Sequence, residues 1–100
     1  MNEKYESERN QIPKLGDEVY LIYKDEIYKE KVYAVGEDFF MIKDYMIYKD
    51  QSLREIKFNA KGKIWFYDLS DAIETVMDNV GAGYEVVECE DDFWCAKKIN

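Results

Sequence analysis

Alternating apolar and polar side chains mark the first half of the chain as strand-forming. In the segment after Gly16 and Asp17, which read as a turn, Val19, Leu21 and Tyr23 fall on one face of an extended chain. Two further apolar segments follow, separated by short stretches of turn-forming residues. Three strands are therefore predicted, over residues 18–23, 27–35 and 39–43.

The middle of the chain predicts a hairpin. Residues 53–58 and 63–67 are its two arms, and Asn59 and Gly62 supply the turn residues. The apolar run in residues 44–52 is too short to distinguish a strand from a helix.

The segment after this hairpin predicts the one helix. Asp68 is placed as its N-cap, and apolar residues recur with helical periodicity as far as about Asn79. The apolar stripe consists of Leu69, Ala72, Ile73, Val76 and Met77. The predicted core comprises Val19, Leu21, Ile64, Phe66, Ile73 and Val76.

The last residues predict a second hairpin, with arms over residues 84–89 and 93–98. Its turn would place Cys89 opposite Phe93 and not opposite Cys95, so we expect two reduced thiols.

Together these elements predict an α+β fold: a small, curled antiparallel sheet of six or seven short strands, SH3-like or similar, with one amphipathic helix near residues 69–79. Residues 12–100 are expected to form a single domain, preceded by a flexible polar tail over residues 1–11. The sequence contains no long apolar run and no secretory signal, so a cytoplasmic location is expected.

The negative charge is concentrated at the C-terminal end. The chain carries 22 acidic and 14 basic residues, for a net charge of −8. Residues 64–100 contain nine of the acids and only two bases, Lys97 and Lys98, whereas the preceding residues are nearly balanced. This distribution argues against direct binding of nucleic acid or of an anionic membrane surface, because both require a basic patch.

Catalytic and cofactor chemistry finds little support in the sequence. There is no histidine to act as a general base. The two cysteines have no activating partner nearby in sequence, and two cysteines alone cannot complete a zinc site. The Gly-Ala-Gly segment 81–83 follows a helix instead of opening one, so it is no phosphate loop. We therefore expect a non-enzymatic protein with no metal and no cofactor.

Two interpretations of the acidic segment remain open. It is either an ordinary solvated surface or an imitation of DNA that occupies the basic groove of a nucleic-acid-binding protein. Asp71, Glu74 and Asp78 are three and four residues apart, so neighbouring side chains on a helix lie about 5–6 Å apart, comparable with the phosphates of a nucleic-acid strand. The C-terminal hairpin adds Glu88, Glu90, Asp91 and Asp92.

Three aromatic residues flank these acids: Trp65, Tyr67 and Trp94. One interpretation is packing within the core. The other follows from strand alternation, which separates Trp65 and Tyr67 from Ile64 and Phe66. If the helix covers the second pair, Trp65 and Tyr67 are partly exposed and can contact a partner together with the acids.

The segments PKLGDEVYLI and GKIWFYDLSDAIE resemble small uncharacterised proteins of phages and prophages in Gram-positive bacteria. The resemblance covers about residues 13–77. It implies an SH3-like sheet followed by a capped helix, with Asp68 where the pattern has Ser or Thr, and it implies a phage origin. It brings no catalytic residues.

These observations lead to one expected function and one alternative. The expectation is a phage-encoded inhibitor, of the anti-CRISPR or anti-restriction kind, that binds a host nuclease or another nucleic-acid-binding defence protein by DNA mimicry in the host cytoplasm. The alternative is a phage structural or assembly protein, or another protein-interaction module, with no inhibitory role.

Overall fold

A computed structural model describes residues 12–99, so the predicted tail over residues 1–11 lies outside the described part of the chain. One curled antiparallel sheet of seven strands and one helix make up the fold, which confirms the predicted α+β class. The strands are β1 (Glu18–Tyr23), β2 (Glu26–Val35), β3 (Phe39–Lys43), β4 (Leu53–Lys57), β5 (Trp65–Phe66), β6 (Tyr84–Glu90) and β7 (Phe93–Lys98), and the helix α1 is Leu69–Val80.

The long strand β2 organises the sheet. The main strand order is β4-β3-β2-β1-β5, and β7 also pairs with β2 and carries β6. The N-terminal part of β2 pairs with β1 and β7, whereas its C-terminal part pairs with β3. A register shift between Val32 and Ala34 marks the bend, because an unpaired residue increases local twist. Lys24 and Asp25 both have positive φ, as a tight turn between β1 and β2 requires.

Both faces of the curled sheet are covered. On one face, Val19, Leu21 and Trp65 pack with residues of β2 and β3. On the opposite face, α1 places Ala72 and Val76 over Ile27 and Phe66.

This arrangement corrects the predicted faces of β5. Trp65 pairs with Leu21 and has only 1% of its surface exposed, so the expectation that Trp65 is partly exposed is wrong. Ile64, predicted as core, is 48% exposed because it precedes the strand and lies in the turn that leads into it.

The predicted hairpin over residues 53–67 is also wrong. β4 pairs with β3, and β5 pairs with β1, so the two arms never pair with each other. A single 3₁₀ turn, Phe58–Ala60, redirects the chain between them. The indole Nε1 of Trp65 links β5 to the end of β4 by donating to the carbonyl oxygens of Lys57 and Phe58 at 3.0 and 3.2 Å.

The predicted helix is confirmed within one residue at its C-terminal end. Asp68 occupies the N-cap position, but its side chain makes no capping hydrogen bond. Gly81 ends the helix with a φ of 84°, and its N–H donates to the carbonyl of Met77.

Residues 44–52, left open by the sequence, form a loop built around one buried carboxylate. Asp44 is fully buried and accepts hydrogen bonds from the backbone N–H groups of Ile47, Tyr48 and Lys49. The Nε of Arg54 donates to the same carboxylate at 2.7 Å. Desolvation acts to raise the pKa of Asp44, but these hydrogen bonds together outweigh it, so the pKa is lowered.

The C-terminal hairpin is confirmed as β6 and β7, although its cysteines differ from the expectation. Cys89 and Cys95 are joined by a disulfide. A register shift between Glu88 and Glu90 makes this possible, because Cys89 is the extra residue at the irregularity. Within residues 12–99, no helix is long and apolar enough to cross a membrane.

Candidate acidic interface

The exposed side of α1 and the segment before it form a groove of about 640 Å³, called here the acidic groove. Successive carboxylates are three or four residues apart, so they share one side of the helix. That side lies opposite the apolar stripe. The ion pairs resolved between described residues involve acids elsewhere in the fold: Glu18, Asp38, Asp44, Asp50, Glu55 and Asp92. The carboxylates that line the acidic groove are Asp68, Asp71, Glu74 and Asp78.

The opposite wall of the acidic groove contributes an aromatic ring and a base. Tyr67 and Lys61 line it, and the Lys61 Nζ lies 5.0 Å from the centre of the Tyr67 ring. Burial raises the pKa of Tyr67 to about 12, with a smaller effect from the Asp17 carboxylate. The phenol therefore stays neutral at physiological pH and can serve as a hydrogen-bond partner beside the acids.

The acids of the hairpin form a separate group. Glu88, Glu90 and Asp91 are exposed on β6 and its turn. Asp92 faces a different cavity, and its carboxylate lies 3.9 Å from the Nζ of Lys29. The ten predicted site residues therefore do not form one site. The structure places only Asp71, Glu74, Asp78 and Tyr67 together in one groove.

The two tryptophans pack inside the molecule. Trp65 is buried, as described above, and does not belong to the exposed surface. Trp94 is half-buried on the helix side of the sheet, where its ring meets that of Tyr20 edge to face at 5.6 Å. Packing, the first of the two interpretations, describes both residues.

Sequence reasoning missed a buried carboxylate on β2. Glu30 is 4% exposed, and its two oxygens accept from the N–H groups of Tyr45 and Met46 at 3.5 and 3.3 Å. The alternation of side chains along β2 could have revealed this burial, because Glu30 shares a face with the buried residues Tyr28 and Val32. Desolvation raises the pKa of Glu30 to about 7, and the nearby Asp44 carboxylate adds to the effect, against the two hydrogen bonds.

The carboxylates of the acidic groove are spread along a helix instead of converging on a point. In the part of the chain that the structure describes, no group of three or more acidic or cysteine side chains is arranged to hold a metal ion. A line of separated charges complements an extended basic surface better than a single cation.

No family model, curated protein or solved structure matches this chain.

Proposed function

We propose that this protein is a non-enzymatic binding protein whose acidic groove occupies a basic, nucleic-acid-binding groove on a protein partner. The observation that carries the proposal is the row of exposed carboxylates Asp71, Glu74 and Asp78 on one helix face, joined by Tyr67.

The row can offer an excess of negative charge to a partner, because the described residues that line the acidic groove include four carboxylates and one base, Lys61. Ion pairs elsewhere join Lys29 to Glu18 and Lys57 to Glu55, so acids there are partly neutralised by their own chain. An exposed excess of carboxylates of this kind would complement a basic groove electrostatically, as phosphates do.

The helix also suits the role mechanically. Ala72 and Val76 are fully buried against the sheet, so the backbone that carries the carboxylates is fixed before binding. A rigid row of charges loses little conformational entropy on association, which favours affinity.

More specifically, we propose that the protein is a phage-encoded inhibitor of a host defence nuclease, of the anti-CRISPR kind, and that it acts in the host cytoplasm. Its support is the resemblance of residues 13–77 to small phage proteins together with the acidic surface.

Affinity capture from a bacterial lysate tests the proposal. The tagged parent is compared with two variants that each remove three negative charges. The groove variant carries Asp71→Asn, Glu74→Gln and Asp78→Asn, and the control variant carries Asp25→Asn, Glu37→Gln and Glu55→Gln.

We expect the parent and the control variant to retain the same protein, duplex DNA to displace it, and the groove variant to lose it. Asn is suited to position 25 because φ is positive there. Equal capture by the groove variant would reject the acidic groove as the contact.

A second candidate function is assembly through the edge of the sheet. Within residues 12–99, β4 pairs only with β3, and beside it lies a groove of about 470 Å³ with Tyr48, Leu53 and Ile64 on its walls. All three side chains are about half exposed and line the same groove, so together they present an apolar surface beside the sheet edge that a second copy could cover.

Sedimentation across a range of protein concentrations distinguishes this candidate. If the edge mediates assembly, the parent should self-associate and Leu53→Lys should sediment as a monomer. A parent that remains monomeric at every concentration argues against it.

A further inference from the structure

A second cavity, of about 460 Å³, lies where β2 exchanges one neighbour for another. On the edge away from β1, β7 pairs with residues 26–28 of β2, and β3 pairs with β2 from Val32 onward. Among the described residues, no strand therefore pairs with residues 29–31 on this edge, and the cavity opens there. Its volume is within the usual range of small-molecule sites.

The walls of this cavity are largely apolar. Leu15, Val32 and Met46 line it, together with the rings of Tyr33 and Tyr45. Leu15, Tyr33 and Tyr45 are each more than half exposed, so the mouth presents apolar surface to solvent. A ligand with an apolar body would remove that surface from water.

One buried polar group interrupts the apolar wall. The Glu30 carboxylate lines the cavity, and it accepts long hydrogen bonds from the N–H groups of Tyr45 and Met46. A carboxylate has about four lone-pair sites, so it retains acceptor capacity toward the cavity. Its charge lies out of water, where an approaching opposite charge is attracted far more strongly than at the surface.

The two tyrosines at the mouth already accept a positive charge. The Lys43 Nζ lies 5.7 Å from the centre of the Tyr33 ring and 5.9 Å from that of Tyr45. These are cation–π distances, so the two rings are suited to holding an ammonium group, and a ligand's ammonium group would take the place of the flexible Lys43 side chain at the mouth or pass it to reach Glu30.

The other charged side chains of the cavity are at its rim. Lys29 is bridged to Glu18 and lies near Asp92, so its charge is largely offset. Lys31 is exposed and solvent-screened. The nearby Asp44 carboxylate is paired with Arg54, and its remaining influence on Glu30 has the same negative sign. Glu30 therefore determines the electrostatic preference inside the cavity.

We propose that this cavity binds a small organic cation, an amine on an apolar or aromatic body, with the ammonium group on the Glu30 carboxylate and the body between Tyr33, Tyr45 and Met46. This site is independent of the acidic groove and of the function proposed for it.

Titration of the ¹⁵N-labelled protein with three probes of one shape tests the proposal. The probes are benzylammonium, benzyl alcohol and benzoate, used at about pH 8, where Glu30 is mostly ionised. We expect benzylammonium to give saturable shifts at the amides of Lys31, Tyr45 and Met46. Benzyl alcohol should bind at least about tenfold more weakly because it lacks the charge-assisted bond, and benzoate should bind more weakly still.

Glu30→Gln should weaken benzylammonium binding by at least about tenfold and leave benzyl alcohol binding unchanged. Tyr45→Ala, at an exposed ring, should weaken benzylammonium binding by severalfold, and the control Glu55→Gln on β4 should have no effect. If Glu30→Gln does not fold, the probe series on the parent and on Tyr45→Ala decides the question.

Equal or tighter binding of benzoate or benzyl alcohol by the parent would overturn the proposal. So would unsaturated shifts with benzylammonium beyond about 10 mM, which corresponds to negligible affinity for a ligand of this size.

Discussion

At the scale of single residues, two buried carboxylates distinguish this chain, and they are held in different ways. Asp44 is surrounded by donors that stabilise its charge, whereas Glu30 accepts only two long hydrogen bonds and is desolvated. Their pKa values therefore move in opposite directions, down for Asp44 and up for Glu30. The two groups make different predictions for stability.

The raised pKa of Glu30 predicts a loss of stability as pH rises. Between its ordinary value of 4.5 and about 7, the folded protein holds a proton that the unfolded chain releases. The contribution is therefore fully present below about pH 4.5 and lost above about pH 7, with a magnitude of about 3 kcal/mol. Urea unfolding of the parent and of Glu30→Gln at several pH values measures it.

The free energy of unfolding of the parent should exceed that of Glu30→Gln by most at the acidic end of this pH window. The difference should shrink as pH rises through the window. Parallel stability curves for the two proteins would show that Glu30 titrates with an ordinary pKa.

Removing the charge of Asp44 should be strongly destabilising. Asn at this position keeps one acceptor oxygen but presents an NH₂ group to N–H donors, and it leaves Arg54 without its buried partner. We expect a loss of about 3 kcal/mol in the free energy of unfolding, measured by chemical denaturation. Asp50→Asn, which affects an exposed acid of the same loop, should lose much less. Equal losses would contradict this account of the loop.

At the scale of elements, the helix and the turn before β5 give a paired test of the core. Ile73 packs against the buried cluster beneath α1, whereas Ile64 is half exposed. Ile73→Asp should cost several kcal/mol of a total of about 5–15, because it buries an unpaired charge. Ile64→Asp should leave the midpoint of thermal unfolding nearly unchanged. The reverse ranking would mean that the faces of these elements are assigned wrongly.

The β6–β7 hairpin should survive reduction of its disulfide. Its strands pair from Tyr84 opposite Lys98 up to the turn, and β7 also pairs with β2, so the bond closes only a short loop. Reduction should lower the free energy of unfolding by about 2 kcal/mol and leave the fold intact. Thermal unfolding with and without a phosphine reductant, with thiol alkylation and intact mass as the control, measures this. Loss of the native spectrum on reduction would contradict it.

The sequence predicted those elements whose signal is local. The stripe that ends in Val76 and Met77 identifies α1, and alternation identifies β1 to β3, because each depends on neighbours within a few residues. Turn-forming residues were expected between β2 and β3, and Gly36 lies there; its φ is not positive, and the ring of Phe39 occupies the space that a Cβ would need.

Pairing between distant strands was not predictable from local patterns. The short strand β5 pairs with β1 and not with β4, and the curl of the sheet buries both of its faces, so alternation alone assigned Trp65 to solvent. The residues of the candidate site lie in separate places for the same reason. Helical spacing placed Asp71, Glu74 and Asp78 together correctly, whereas the position of the hairpin acids depends on how β7 joins β2.

At the scale of the whole molecule, the charge is as uneven in space as it is along the chain. Lys29 of β2 and Arg54 and Lys57 of β4 pair with nearby acids, whereas the carboxylates of the acidic groove share it with one base among the described lining residues, Lys61. Part of the net charge of −8 is therefore concentrated on one face of the molecule, where it can direct association with a basic partner.

The salt dependence of partner binding is the most direct test of this account. Surface plasmon resonance would measure the affinity of the captured partner for the parent, the groove variant, the control variant and a hairpin variant with Glu88→Gln, Glu90→Gln and Asp91→Asn.

For the parent and the control variant, we predict fast association at low salt and a steep loss of affinity as salt rises, because exposed charges are screened beyond about 8–10 Å at physiological ionic strength. The groove variant should bind at least about tenfold more weakly with a shallower slope, and the hairpin variant should resemble the control. A groove variant that binds as tightly as the parent, with the same slope, would contradict the central claim.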